Sequence, residues 1–230
     1  IQEEVSQGVG RIAGHLGLSN MIMFYDSNNI QLSTKVDEVS TEDIVAKYEA
    51  WGWNVISIDG NDAAEIRQAL NRAIAETEKP TLIVGHTLMG KGAVGKEGED
   101  FSNKVSTHGQ PLSAAGGDTA KTIANLGGDP EKPFQIFKDG EELYARRREE
   151  LKKWYALRKE EESIWRAANK ELAAKLDQFL SGKAPDIDYA KINCGDNVAT
   201  RAASAAVLSY LAEHVENMIV ASADLSNSDK

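Results

Sequence analysis

Residues Met21 to Ser33 read MIMFYDSNNIQLS. Met21 to Tyr25 is an unbroken apolar and aromatic run bounded by Asn20 and Asp26. Such a run predicts a strand buried on both faces, as in a parallel sheet covered by helices. It ends abruptly in Asp26-Ser27-Asn28-Asn29. In an open parallel sheet, ligands sit beyond the carboxyl ends of the strands, so chemistry is expected here. Asp26, Asn28 and the carbonyl of Ile30 fall at every second residue, which lets a loop aim alternate groups at one point. Magnesium takes oxygen ligands and usually shares them with substrate phosphates. The same residues also read as a strand followed by an Asx-rich turn, and spacing alone leaves both readings open.

The flanking segments alternate between helix and strand. Ile1 to Gly17 carries Val5, Val9, Ile12, Ala13 and Leu16 at close to helical spacing. Gly8, Gly10 and Gly14 weaken an isolated helix but let another backbone approach closely. Ser40-Thr41-Glu42-Asp43 opens a second helix, with Ser40 as the expected N-cap and Asp43 at the box position. Ile44, Val45, Tyr48 and Trp51 follow, and Gly52 ends it. Asn54 to Asp59 reads as a strand, Asp59-Gly60 as a turn, and Asp62 to Glu76 as an amphipathic helix. Ile66, Ala69, Leu70, Ala73 and Ile74 share one face of that helix. Pro80 to Val84 reads as a further buried strand. The alternation predicts βαβ units with right-handed crossovers.

Gly85 to Gly117 is irregular and glycine-rich. A loop of that length inside a domain is usually functional. Gly90-Lys91-Gly92 fits a phosphate-cradling turn or a plain surface loop, without full P-loop spacing. A short helix is expected after Asp118, and a long charged helical region from Gly140 to Leu180, broken near Ser163 or Ala168. Its expected buried stripe is Trp154, Leu157, Trp165, Leu172, Leu176 and Phe179. Arg146-Arg147-Arg148 and Glu160-Glu161-Glu162 belong on solvated faces. Ser181 to Gly195 reads as a linker. Val198 to His214 reads as a helix with Ala202, Ala205, Leu208 and Leu211 inward, and Asn217 to Ser222 as a strand.

Composition narrows the function classes. The 230 residues suffice for one good core or two smaller ones. A net charge of −10 argues against nucleic acid or an anionic membrane as partner. An anionic cofactor remains compatible, because a metal ion and helix N-termini bind phosphate even on an acidic protein. The single cysteine, Cys194, excludes an internal disulfide framework. No apolar run approaches the roughly 20 residues of a membrane span. The chain opens inside a helical pattern without an initiator methionine, and is expected to be a piece of a longer one.

The segment IQEEVSQGVGRIAGHLGLSNMIMFYDSNNIQLS resembles the thiamine-diphosphate motif region of transketolases. That family's motif opens with Gly-Asp-Gly, which would lie before Ile1, and closes with Asn-x-Ile, matched by Asn28 and Ile30. The resemblance continues in order through KYEAWGWNV, PTLIVGHTLMGKG, STHGQPL, VATR and SADLSNSDK. It implies an α/β thiamine-diphosphate-binding fold, a parallel sheet flanked by helices, truncated at both ends and carrying a helical connecting segment. Residues 1–117 would be the C-terminal half of the diphosphate-binding domain, 118–195 a helical connector and linker, and 196–230 the beginning of a pyrimidine-binding domain.

The implied activity is transfer of a two-carbon ketol unit between sugar phosphates, with thiamine diphosphate and magnesium (or calcium) as cofactors. The Asn28 side chain and Ile30 carbonyl would hold the metal. Asp26 matches a family acidic position and is not counted as a ligand. His108, in Thr107-His108-Gly109, matches the histidine at the cofactor diphosphate and is the expected catalytic group. Met89 matches an apolar position packed on the cofactor, and Asp224 an aspartate close to the cofactor from the partner subunit. Arg201 and Ser228 match the pair that holds the sugar phosphate. Each has a plain alternative: Met89 as a core methionine, His108 as a loop histidine, Arg201 as a solvated helix arginine.

The family's first helix packs at the subunit interface. Glu3 matches an interface glutamate there, whereas Gly8 stands close to where the family usually carries another. The resemblance further implies a homodimer, a cytoplasmic location, the pentose phosphate pathway, and neither nucleic-acid nor membrane partners. Two other readings stand beside it: another thiamine-diphosphate enzyme subunit, such as a synthase or dehydrogenase, and a non-catalytic α/β module. The isolated piece is expected to be inactive.

Overall fold

Three parallel strands, β1 (Ile22–Ser27), β2 (Asn54–Asp59) and β3 (Thr81–His86), form a sheet in the order β1-β3-β2. β3 pairs with both neighbours, Thr81 lying opposite Ile22 on one side and Asn54 on the other. The computed structural model describes residues 3–222. The chain divides into two units, Ile1–Ile136 and Phe137–Lys230, and the sheet belongs to the first.

The connections explain where the helices lie. From β1 the chain passes through α2 (Ile44–Ala50) to the far strand β2, then returns through α3 (Ala63–Ala75) to the middle. Reversing direction with right-handed crossovers places successive helices on opposite faces of a sheet. Packing agrees. Tyr48 and Trp53 bury against Leu82 and Val84 on one face, with Ala13 of α1 (Glu4–His15) beside them. Ala69 and Ala73 of α3 bury against Ile56 and Ile83 on the other. Alternate side chains of β3 thus feed two cores, and Thr81 to Gly85 are buried without a break. Burial raises the pKa of the Tyr48 phenol, with the Glu42 carboxylate adding to the rise.

β1 departs from the expectation of burial on both faces. Met23 and Tyr25 pack against the first core, but Ile22 and Phe24 point the other way and are 38% and 43% exposed. The reason is reach: α3 covers β2 and β3, so β1 is an edge strand among the described residues. Phe24 instead lies over Gly85, where any Cβ would collide with its ring.

The caps also shift the sequence boundaries. Asp43, not Ser40, is the N-cap of α2, its carboxylate accepting the Ala46 N–H at 3.0 Å. Ser40 accepts the Glu42 N–H at 3.3 Å, one turn too early. Asp62 caps α3 through Ala64 and Glu65.

The rest of the first unit is the long loop, with α4 (Leu112–Ala115), and α5 (Thr119–Asn125) after it. The second unit holds α6 (Lys138–Ala168), α7 (Lys170–Leu180) and α8 (Thr200–His214). The helix break falls at Asn169. The predicted stripe is not buried: Trp154, Leu157 and Leu172 are about half exposed, and only Ala173 in α7 is buried. α6 instead satisfies itself with surface pairs such as Arg147–Glu150 and Arg158–Glu161, both 2.8 Å. The strand predicted over Asn217 to Ser222 does not form. A strand needs a neighbour for its backbone groups, and Ile219 there is 94% exposed. No helix among the described residues is long and apolar enough to cross a membrane.

Candidate cofactor site

The carboxyl ends of the three strands lie side by side, His86 facing Ser27 on one side and Asp59 on the other. Beyond Ser27 the chain forms an Asx turn: Asn28 Oδ1 accepts the Ile30 N–H at 2.9 Å. Asn28 Nδ2 donates to Asp26 Oδ1 at 3.3 Å. Asn29 follows with φ +60°, the left-handed region that asparagine tolerates. Its side chain is clamped to Asp37, Nδ2 donating to Oδ2 at 2.9 Å and Oδ1 accepting the main-chain N–H at 3.0 Å. Ile30 buries its side chain to 6% exposure, which anchors its main chain. The next bonds run from Gln31 N–H to the Thr34 carbonyl and from Val36 N–H to the Asn29 carbonyl. Neither uses the Ile30 carbonyl.

The Asx turn is present, and it fixes the Asn28 amide oxygen and the Ile30 carbonyl on a single rigid bend. An amide oxygen has two acceptor lone pairs, and the turn uses one. A cavity of about 250 Å³ opens here, lined by Glu3, Tyr25, Asn28 and Ile30 among others. Among the described residues no three His, Cys, Asp or Glu side chains converge to hold a metal. A cation at this bend would rest on an amide oxygen and a carbonyl, donors that suit magnesium or calcium.

The loop carrying His108 docks next to this bend. The Asn103 N–H donates to the Met89 carbonyl at 2.7 Å. A Cβ on Gly109 would lie 2.6 Å from Leu32 Cδ2, two residues past Ile30. His108 Nδ1 is buried and has no hydrogen-bond partner. Such an orphan costs about 1–3 kcal/mol, and a polar ligand atom would relieve it. Met89 is half-buried. Gly90 and Gly92 both take positive φ, yet the N–H groups of Lys91 and Ala93 bond to the Leu88 and Gly90 carbonyls within the turn. That engagement disfavours the phosphate-cradle reading of Gly90-Lys91-Gly92. α5 holds the following loop: Thr122 Oγ1 accepts the Val94 N–H at 2.9 Å, and Asn125 Nδ2 donates to the Gly92 carbonyl at 2.9 Å.

Asn28, Ile30, Met89 and His108 all lie in the first unit. Arg201 is exposed in the first turn of α8, in the second unit. Asp224 and Ser228 lie outside the described residues. Two features escaped sequence reasoning. Thr87 donates its hydroxyl proton to Asp26 Oδ1 across 61 residues of chain. Ser57 Oγ and His86 Nε2 sit 3.1 Å apart in a cleft of about 630 Å³ that Lys91 also lines. The available signal was position alone, since all three residues fall at or near the carboxyl ends of strands.

The family described as transketolase, thiamine diphosphate binding domain, matches residues 1–185. The chain belongs to the transketolase family. Transketolase 2 of Xanthobacter flavus is 37% identical over 238 residues, covering 100% of this chain and 33% of that protein. A transketolase of Streptococcus pyogenes serotype M6 is 34% identical, covering 100% of this chain and 30% of that protein. The chain therefore spans about a third of the length of the curated relatives it matches. Transketolase from Leishmania mexicana superposes with a TM-score of 0.84 at 30% identity, over 99% of this chain and 33% of that one. Transketolase from Pichia stipitis in complex with sedoheptulose 7-phosphate gives 0.83 at 30% identity, with the same coverage. The parallel sheet flanked by helices is thus the α/β fold of the transketolase family, and the matched domain is one that binds thiamine diphosphate.

Proposed function

We propose that this chain supplies the metal-holding and diphosphate-holding part of an enzyme that moves two-carbon ketol units between sugar phosphates. The observation that carries the reading is the rigid Asn28–Ile30 bend at a strand's carboxyl end, beside a loop whose buried histidine nitrogen lacks a partner. When bound, thiamine diphosphate supplies the nucleophilic carbon and electron sink of the reaction. The residues of this chain bind and orient. The Asn28 amide oxygen and Ile30 carbonyl hold magnesium or calcium, which neutralises the diphosphate. His108 would offer a ring nitrogen for a hydrogen bond to a diphosphate oxygen, and Met89 would pack on the cofactor. A guanidinium fork suits a phosphate monoester. Arg201, with Ser228, therefore holds the substrate phosphate, and Asp224 approaches the cofactor from a partner subunit.

Residues 1–117 then form part of the diphosphate-binding domain, 118–195 a connector, and 196–230 the start of the pyrimidine-binding domain. The working form is a homodimer in the cytoplasm, serving the pentose phosphate pathway. The co-crystallised sugar phosphate of the Pichia stipitis relative supports the substrate class.

The test is an NMR titration of the chain with thiamine diphosphate, with and without magnesium. The expected result is magnesium-dependent shifts at the Asn28, Ile30 and His108 signals. Shifts elsewhere only, or none, overturn the reading.

A further inference from the structure

Resting on the cofactor site proposed above, we infer that Asp26 and Thr87 are positioning residues that fix which end of the Asn28 amide faces the metal. Two hydrogen bonds converge on one oxygen. Asp26 Oδ1 accepts from Asn28 Nδ2 at 3.3 Å and also from the Thr87 hydroxyl. An ionised carboxylate only accepts. The Asn28 amide must therefore turn its NH2 toward Asp26, and its oxygen faces away, where it takes the Ile30 N–H at 2.9 Å. With the opposite orientation the amide would present N–H protons to a cation, which cannot bind them.

Thr87 is itself held. Its N–H donates to the Ser27 carbonyl at 3.3 Å, tying β3 to β1 where the strands end. Its methyl sits over Gly60, where any added Cβ would come within 2.6 Å of Thr87 Cγ2. The Gly60 N–H donates to the His86 carbonyl at 2.9 Å. A β-branched side chain has few rotamers, so the methyl over Gly60 leaves the hydroxyl directed to Asp26. Each strand end contributes one link: Gly60 after β2, Thr87 after β3, Asp26 at the end of β1. Sheet geometry is thereby transmitted to the orientation of one amide. Partners that orient metal ligands typically affect metal affinity by about 10- to 100-fold.

The experiment uses manganese as probe in the presence of thiamine diphosphate. It reads the manganese concentration that half-broadens the Ile30 amide signal in the NMR spectrum of the 230-residue chain. Asp26→Ala and Thr87→Val are expected to raise that midpoint about 10-fold or more, and Thr87→Ser, which keeps the hydroxyl without the methyl that directs it, to raise it less. Asp26→Asn places a group that donates as well as accepts beside Asn28, so the amide is no longer fixed, and the midpoint is expected to rise as in Asp26→Ala. An Asp26→Asn variant that stays near the unsubstituted chain would show that an accept-only group is not needed, and would overturn the inference. So would unchanged midpoints in Asp26→Ala and Thr87→Val alongside a raised midpoint in Asn28→Ala. A second measurement needs no metal. The Asn28 side-chain proton bonded to Asp26 should lie downfield of its free-amide position in the unsubstituted chain and move back toward it in Thr87→Val, a near-isosteric change. If Asn28→Ala leaves the midpoint unchanged, the cofactor site is misplaced. The metal-free signals then decide alone, and a downfield proton retained in Thr87→Val overturns the positioning role.

Discussion

The Trp53 indole donates its Nε1 proton to the carbonyl of Gly10 at 2.8 Å, a buried bond spanning 43 residues. It is possible because α1 lies almost against the end of α2. A Cβ on Gly14 would overlap the Trp51 carbonyl oxygen, whereas one on Gly8 would meet nothing within 4 Å. The two glycines should therefore respond oppositely to the same substitution. Gly8→Ala should stabilise by up to about 1 kcal/mol through helix propensity. Gly14→Ala should destabilise by about 1–3 kcal/mol through overpacking. Urea unfolding of both variants checks the sign.

Asn28→Ala removes the amide oxygen at the bend. Magnesium-dependent affinity for thiamine diphosphate should fall about 10-fold or more, the scale of a disturbed metal site. Calorimetric titration measures it, and unchanged affinity would remove Asn28 from the ligand set.

Arg201→Ala should raise the KM of an active assembly for phosphorylated acceptors far more than for their unphosphorylated counterparts. Losing a charged hydrogen bond costs about 1.5–3 kcal/mol, or roughly 10- to 100-fold. Steady-state kinetics with a sugar and its phosphate as paired acceptors decides. Equal effects on both would mean that Arg201 does not read the phosphate.

Acid should loosen the start of α5 and the loop that it holds before it loosens the sheet. The Asp118 carboxylate is held below its usual pKa, chiefly by the Lys121 N–H that it accepts at the start of α5. A lowered folded-state value means that the contribution is complete above the ordinary aspartate range. It is lost as pH falls through the lowered value. Amide exchange at Lys121 and Val94 should therefore accelerate below about pH 4 while β3 amides stay protected. Asp118→Ala should show the faster exchange already at pH 6.

The fold was legible where local pattern and tertiary demand coincide. β2 spans Asn54–Asp59, as its apolar run and the Asp59-Gly60 turn require. α3 begins where Asp62 can cap it. The misreadings share one cause. Met21 to Tyr25 and Asn217 to Ser222 have the composition of buried strands, but burial depends on neighbours that a local window does not contain. The stripe on α6 and α7 failed for the same reason, since periodicity records a face and not what covers it. At the site, Asn28 and Ile30 were visible as a spacing. Thr87 was not, because its partner lies 61 residues away.

The contact between Phe24 and Gly85 has a consequence for how this sequence can vary over time. The ring occupies the volume that a side chain at position 85 would need, so the two positions share one allotment of space. Bulk gained at 85 must be surrendered at 24. A lineage can cross between large-small and small-large arrangements only through a strained or hollow intermediate. Descendants are then expected to preserve the combined size of the pair while its two members drift.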